Sequence, residues 1–209
     1  MDPEIDSAGA AGSSEQDGPA ERAQQATQDD ALVAAARVGD ASAFETLLER
    51  HQSRVFRILR LLGVPDSDRE DVAQDVFVRV FRHLKGYRRG RSFTGWLFRI
   101  SVNAAHDHRR QDHRRRREVD WSEAPPERPT RAPGPVELYD SADQRSRLER
   151  ALAALSERER AVFVLCELED QPSRMVARAL GISAITVRRH LGRARRRLQR
   201  ILGPARQKG

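Results

Sequence analysis

Residues 176–198 read VARALGISAITVRRHLGRARRRL, and this stretch decides the kind of fold to expect. Ala177 is small enough for two helices to cross closely, and Gly181 can take the positive φ of a tight inter-helix turn. Ile182 and Val187 are apolar plugs beneath that turn, and Ser183 stands where its hydroxyl caps the next helix. Arginines then recur at 188, 189, 193, 195, 196, 197 and 200, and no Asp or Glu occurs from Gln171 to Gly209. An arginine run alone is usually a solvated helix face. Joined to a turn glycine, a cap and a complete loss of acids, it predicts a helix-turn-helix that reads DNA.

Working outward, the 209 residues allow one or two small domains. Hydrophobic residues make up 38% and charged residues 33%, enough for modest helical cores and no large one. The formal net charge of +7 favours a polyanionic partner. No apolar run approaches the ~20 residues of a membrane span, and no signal-peptide core follows Met1, so a cytoplasmic protein without membrane insertion is expected. A single cysteine, Cys166, excludes an internal disulfide framework and is expected in a helix core as a small apolar side chain.

The periodicity predicts an all-α chain of two small helical domains joined by a flexible linker. Residues 1–28, rich in Ala, Gly, Ser, Gln and acids, read as a disordered tail. The first domain covers 29–112. It opens with a short helix from Ala31 to Val38, and a second follows on Phe44, Leu47, Leu48, His51, Val55, Ile58, Leu59 and Leu62, ended by Gly63. A third is expected behind a Ser67–Glu70 capping box, with the apolar stripe Val72, Ala73, Val76, Phe77, Val80, Phe81 and Leu84. A long helix from about Ser92 carries Trp96, Leu97, Ile100 and Ala104. Residues 113–140, with Pro125, Pro126, Pro129, Pro133 and Pro135, read as the linker. The second domain, 141–203, brings Leu148, Leu152, Leu155, a Ser156–Glu159 capping box and the helix-turn-helix. Residues 204–209 are a tail. The two domains are expected to fold separately.

Two further faces carry chemistry. Asp71, Gln74 and Asp75 fall at i, i+3 and i+4, one polar face opposite Val76, Phe77 and Val80. Asp66, Asp68 and Glu70 precede them. Acids in the first turn of a helix complement its dipole, but Gln74 and Asp75 lie a turn further in, and an acidic patch on a basic chain suggests a basic protein partner. On the long helix, Arg99, Asn103, His106 and Arg110 share a face. The loop Lys85-Gly86-Tyr87-Arg88-Arg89-Gly90-Arg91-Ser92 precedes it. Cations for phosphates, an amide for base edges and nearby aromatics suit unstacked bases. Phe93, Trp96 and Leu97 themselves read as core rather than as a stacking platform.

The segments 71–80, DVAQDVFVRV, and 93–104, FTGWLFRISVNA, resemble region 2 of bacterial sigma factors, and LSERER at 155–160 with the helix-turn-helix resembles region 4. Two such blocks with a linker in place of region 3 look like the extracytoplasmic-function (ECF) group. The resemblance implies an initiation subunit rather than an enzyme, with no catalytic residue, metal or cofactor. It implies that Asp71, Gln74 and Asp75 dock on a coiled coil of the β′ subunit of core RNA polymerase. It implies −10 DNA contacts from Lys85, Tyr87, Arg88, Arg89, Arg91, Arg99, Asn103, His106 and Arg110, with a flipped base captured by the loop and Asn103 inserted where the strands part. Contacts to the −35 element would come from Ser183, Ala184, Arg188, Arg189, Gly192 and Arg193. The implied partners are core polymerase (β′ and β), promoter DNA and an anti-sigma factor, for a chain that is monomeric when free. Three departures touch promoter choice. Gly192 stands where the family often has a bulky residue and Arg189 where it has a small one. Ile185 replaces a common Gly, and Arg174-Met175 replace a usual acidic pair.

Two other functions compete. A metal-dependent nuclease could be sought in His106-Asp107-His108 with Asp112-His113, but on a helix His106 and His108 point about 200° apart, and a catalytic metal needs three converging ligands. A stand-alone helix-turn-helix regulator would need a dimer surface to match paired half-sites, and would leave the face at Asp71 without a purpose.

Overall fold

The computed structural model describes residues 19–87, 92–119 and 140–203. Every regular element among them is helical. α1 is Pro19–Arg37, α2 Ala41–Leu61 and α3 Asp66–His83, followed by a 3₁₀ turn at Leu84–Gly86; α4 is Phe93–Val119. In the second block α5 is Asp140–Ala153, and α6, Glu157–Phe163, runs on into a π-helical turn at Val164–Leu168. α7, Ser173–Leu180, and α8, Ala184–Leu202, form the helix-turn-helix.

The second helix forms as its spacing predicts. Asp40 caps it by accepting the N–H of Ala43, and the chain leaves through Gly63 at φ 87°. The opening helix is longer than expected, starting at Pro19 and not near Ala31. Within it Asp29 is buried and holds Arg50 at 3.1 Å and His51 at 2.9 Å, pinning α1 along α2. Likewise α4 continues to Val119, beyond the expected end at Asp112. The Ser67–Glu70 box is absent. α3 starts two residues earlier behind Pro65, which offers no capping side chain, and the Ser67 hydroxyl donates to Asp68. The Ser156–Glu159 box is present in both halves, opening α6.

The two blocks do not stand apart. One apolar core joins Ile58, Val76 and Leu97 of the first block to Val162, Leu165, Val176 and Val187 of the second. Leu61, at the end of α2, packs into the other cluster with Leu152, Val164, Ala194 and Leu198. A β-carbon on Gly95 of α4 would meet Met175 of α7 at 2.7 Å, so these helices touch where only glycine fits without displacement. Polar groups complete the seam. Arg109 and Arg160 both donate to the Leu62 carbonyl at 3.0 Å, filling the orphan acceptor at the end of α2. Arg160 also donates to Leu152 at 2.7 Å. Glu169, with no exposed side-chain surface, faces Arg54 at 3.2 Å and Arg57 at 2.7 Å on α2. The two blocks, expected to fold separately, thus pack against each other across a shared core.

Candidate nucleic-acid interface

The turn between α7 and α8 is built as its residues require. Gly181 takes φ 64° and ψ 33° and returns its N–H to the Ala177 carbonyl. Ser183 caps α8, accepting the Thr186 N–H at 3.0 Å. Val187, Ala194 and Leu198 bury one stripe of α8. On the opposite side Ser183, Arg188, Arg189 and Arg193 are exposed, with Ala184 and Gly192 half-buried. Burial, and after it the Arg189 charge, hold the His190 imidazole below its usual range. The charge of this face at neutral pH is thus that of its arginines. Two later arginines turn back on the protein: Arg195 donates to Glu167 at 2.6 Å and Arg197 to Glu159 at 3.2 Å.

On α4, Arg99, Asn103 and Arg110 are exposed along one face, and His106 is half-buried with Nδ1 3.8 Å from Glu157. Lys85 is exposed in the 3₁₀ turn, where its carbonyl accepts from Arg37 at 3.1 Å. Tyr87 is not placed as expected for a DNA contact. It is only 4% exposed, and its ring lies 5.2 Å from Trp96 and 6.1 Å from Phe93. An aromatic ring at the mouth of an apolar cluster gains more from burial than from water, so Tyr87 belongs to the core that shapes the loop's base. Phe93 and Leu97 are buried as expected and Trp96 half-buried. Arg88, Arg89 and Arg91 lie outside the described residues.

The acidic face divides. Asp71 and Gln74 are exposed, whereas Asp75 is half-buried and takes Arg79 at 3.0 and 2.7 Å. Arg79 reaches on to Asp107 of α4 at 2.7 Å; burial pulls its guanidinium pKa down, and the two carboxylates outweigh this and raise it. Beside Gln74 the surface opens into an apolar groove of about 580 Å³ between α2 and α3, lined by Phe44, Leu48, Phe56, Phe77 and Phe81. Phe81, expected in the buried stripe, is 64% exposed, its ring set edge-on to Phe44 at 5.2 Å. A second groove, of about 1070 Å³, lies between α5 and α8, floored by Leu148, Phe163, Leu198 and Leu202 and rimmed by arginines.

Sequence reasoning missed both grooves and the Glu169 site. A signal existed for the latter: Arg54, Arg57 and Arg60 recur every third residue on one face of α2, and that face meets Glu169 and Glu149. The histidines and acids considered for a nuclease are taken up in pairs, His108 with Asp68 at 3.1 Å and Asp107 with Arg79. Among the described residues, no group of three His, Cys, Asp or Glu is placed to share a metal ion. Cys166 is half-buried, and burial pushes its thiol up. No helix among the described residues is long and apolar enough to cross a membrane.

Residues 47–116 match the family model of sigma-70 region 2, and residues 145–198 that of sigma-70 region 4. The chain is 34% identical over 170 residues to the ECF RNA polymerase sigma factor SigE of Mycolicibacterium smegmatis, an alignment covering 78% of this chain and 64% of that one. It is 32% identical over 178 residues to the ECF RNA polymerase sigma factor SigM of Mycobacterium tuberculosis, covering 82% and 83%. In three dimensions it is similar to CnrH of Cupriavidus metallidurans, solved in complex with the cytosolic domain of CnrY. That likeness has a TM-score of 0.63 and 27% identity, over 84% of this chain and 97% of that one. Both blocks match in order, one carrying an exposed polar α4 face and the other an exposed arginine face on a capped recognition helix. The chain belongs to the ECF group of the sigma-70 family of RNA polymerase sigma factors.

Proposed function

We propose that this protein binds core RNA polymerase and gives it promoter choice, as a non-enzymatic initiation subunit acting in the cytoplasm. The observation that carries the reading is the pairing, in one chain, of two different nucleic-acid faces. Arg188, Arg189 and Arg193 suit the major groove of a duplex −35 element. Arg99, Asn103 and Arg110, behind the loop at 85–92, suit the opened −10 strand. Lys85, Arg88, Arg89 and Arg91 would add phosphate contacts, and His106 would sit at their margin. Asp71 and Gln74, next to the apolar groove at Phe81, supply the face for the β′ subunit, with Asp75 contributing through its edge. Each block carries an apolar groove, which supports a large protein partner that engages both, core polymerase through β′ and β. CnrH was solved with a protein bound to it, which supports a proteinaceous regulator of the anti-sigma class here as well. The division into two blocks belongs to the same proposal with its edges moved: the first block runs from α1 at Pro19 through α4 to Val119, and the second opens with α5 at Asp140.

The test is reconstitution. Core polymerase supplemented with the full chain should initiate from a distinct set of promoters in a fragment library, with permanganate-reactive thymines near −10. A stand-alone regulator would instead bind its duplex equally well without polymerase and would not co-elute with it.

A further inference from the structure

Ile185 is 71% exposed in the first turn of α8, where the neighbouring outward positions Ser183, Arg188 and Arg189 are polar or cationic. At 100° per residue it lies about 160° from the fully buried Val187, at the centre of the outward face. Arg189 and Gly192 follow it on that face at i+4 and i+7. No packing accounts for an isoleucine there, and an exposed one costs solvation with no return inside the protein. Arg189 is exposed beside it, and a β-carbon on Gly192 would meet nothing nearer than Arg196, at 3.6 Å. The face is therefore low at Gly192, and a groove wall can approach the helix backbone closely there. Such an approach drives the first turn, and Ile185 with it, toward the base edges, where the N-terminal residues of a recognition helix make their contacts.

We propose that Ile185 is a specificity-determining residue of the −35 contact, reading the C5-methyl group of a thymine. The inference rests on the promoter-binding function proposed above. An aliphatic side chain has no donor or acceptor. Against a guanine or cytosine edge it would strip water from polar groups and replace nothing, whereas the thymine methyl is the one apolar feature of the major groove. Ile185 then supplies the apolar half of a mixed code, and Arg188, Arg189 and Arg193 the hydrogen-bonding half.

The test uses holoenzyme reconstituted from core polymerase and the full chain. A −35 element is first selected from a randomised pool, and each of its thymidines is then replaced singly by deoxyuridine, which removes only the methyl. At one position the wild-type holoenzyme should lose about fourfold in affinity, the worth of one buried methyl group. Ile185→Ala should bind the thymidine and deoxyuridine duplexes equally and accept other base pairs at that position. Ile185→Val should fall between. The exposure of Ile185 means that thermal melts of the variants should match wild type. If no thymidine loses its methyl effect on Ile185→Ala, the assignment is wrong. It is equally wrong if Ile185→Ala weakens core-polymerase binding while keeping the wild-type methyl sensitivity, because Ile185 is then a protein contact. A wild-type holoenzyme that selects no −35 sequence would remove the promoter-binding function itself, and this inference with it.

Discussion

Asp71 and Asp75 stand one helical turn apart and carry different obligations. Asp71 is exposed, while Asp75 holds Arg79 and, through it, the Asp107 end of α4. Charge reversal should separate the two. Asp71→Lys is expected to weaken competition for core polymerase at an unchanged melting temperature. Asp75→Lys should also lower stability, by no more than about 1 kcal/mol because the pair is solvent-screened. A thermal melt beside a competition assay checks both, and equal melting shifts would count against the distinction. The i, i+3, i+4 spacing made the shared face legible in the sequence, and Arg79 stands at i+4 from Asp75; what spacing could not show is its second partner, Asp107, which lies on another helix. Glu159 sets a second case. Burial pushes its carboxyl up, but the Ser156 bonds and Arg197 outweigh this and hold it below its ordinary value of 4.5. Its contribution is therefore present above pH 4.5 and is lost as the pH falls through the lowered folded value. Ser156→Ala should cost about 1 kcal/mol, a fall of roughly 2–4 °C in melting temperature for a chain of this size. The gap to wild type should narrow in acid.

At the level of single helices, α8 shows a division of labour along its length. Arg188 lies early and exposed, whereas Arg195 and Arg197 are turned back onto Glu167 and Glu159. Selection from a randomised −35 element should therefore change with Arg188→Ala, by ~1–3 kcal/mol of discrimination at one position. Arg197→Ala should keep the wild-type consensus and lose helix stability instead; a shifted consensus there would contradict the assignment. Along α4, Asn103→Ala should impair opening of duplex promoters and leave a premelted bubble template nearly as active as wild type, because a lost contact to an unstacked base is worth ~1–3 kcal/mol. Equal loss on both templates would mean that Asn103 serves folding. Element type was readable wherever apolar spacing and a cap agreed, as at α2, α6 and α8. It failed at α3, where Pro65 precedes Asp66 and the expected Ser67 cap falls inside the helix. It failed for Phe81 because periodicity assigns a side and cannot say whether anything covers it. Tyr87 was misplaced because a loop of arginines gives no sign that one ring folds inward.

Taken whole, the molecule has a seam whose arginine half is periodic along α2, at Arg54, Arg57 and Arg60, but whose pairing periodicity could not disclose, since the partners lie far apart in sequence. Glu169 is its most telling member. Burial raises its carboxyl pKa despite the Arg57 and Arg54 charges. An ion set of this kind contributes little net stability, yet removing one member leaves the rest uncompensated. Glu169→Lys should therefore separate the blocks. In a Cys166→Ala background, spin labels at the exposed positions Glu45 and Gln199 should report a longer and broader distance. Reversing Arg54 and Arg57 to Glu in the same chain should restore the short one. A short distance retained in Glu169→Lys would show that the apolar seam at Leu61 and Gly95 suffices.

The contact of α4 with α7 also bears on valency. Packed helices lie 8–10 Å apart, so α8, one helix beyond α7, is within about 20 Å of α4. The elements named for positions −35 and −10 are separated by roughly 25 base pairs, or about 85 Å along the duplex. In the packed arrangement the chain can thus hold only one element at a time, and it forgoes the gain in effective concentration that two tethered sites would bring. Polymerase, by holding the blocks apart, would turn a monovalent ligand of DNA into a bivalent one without adding a single base contact.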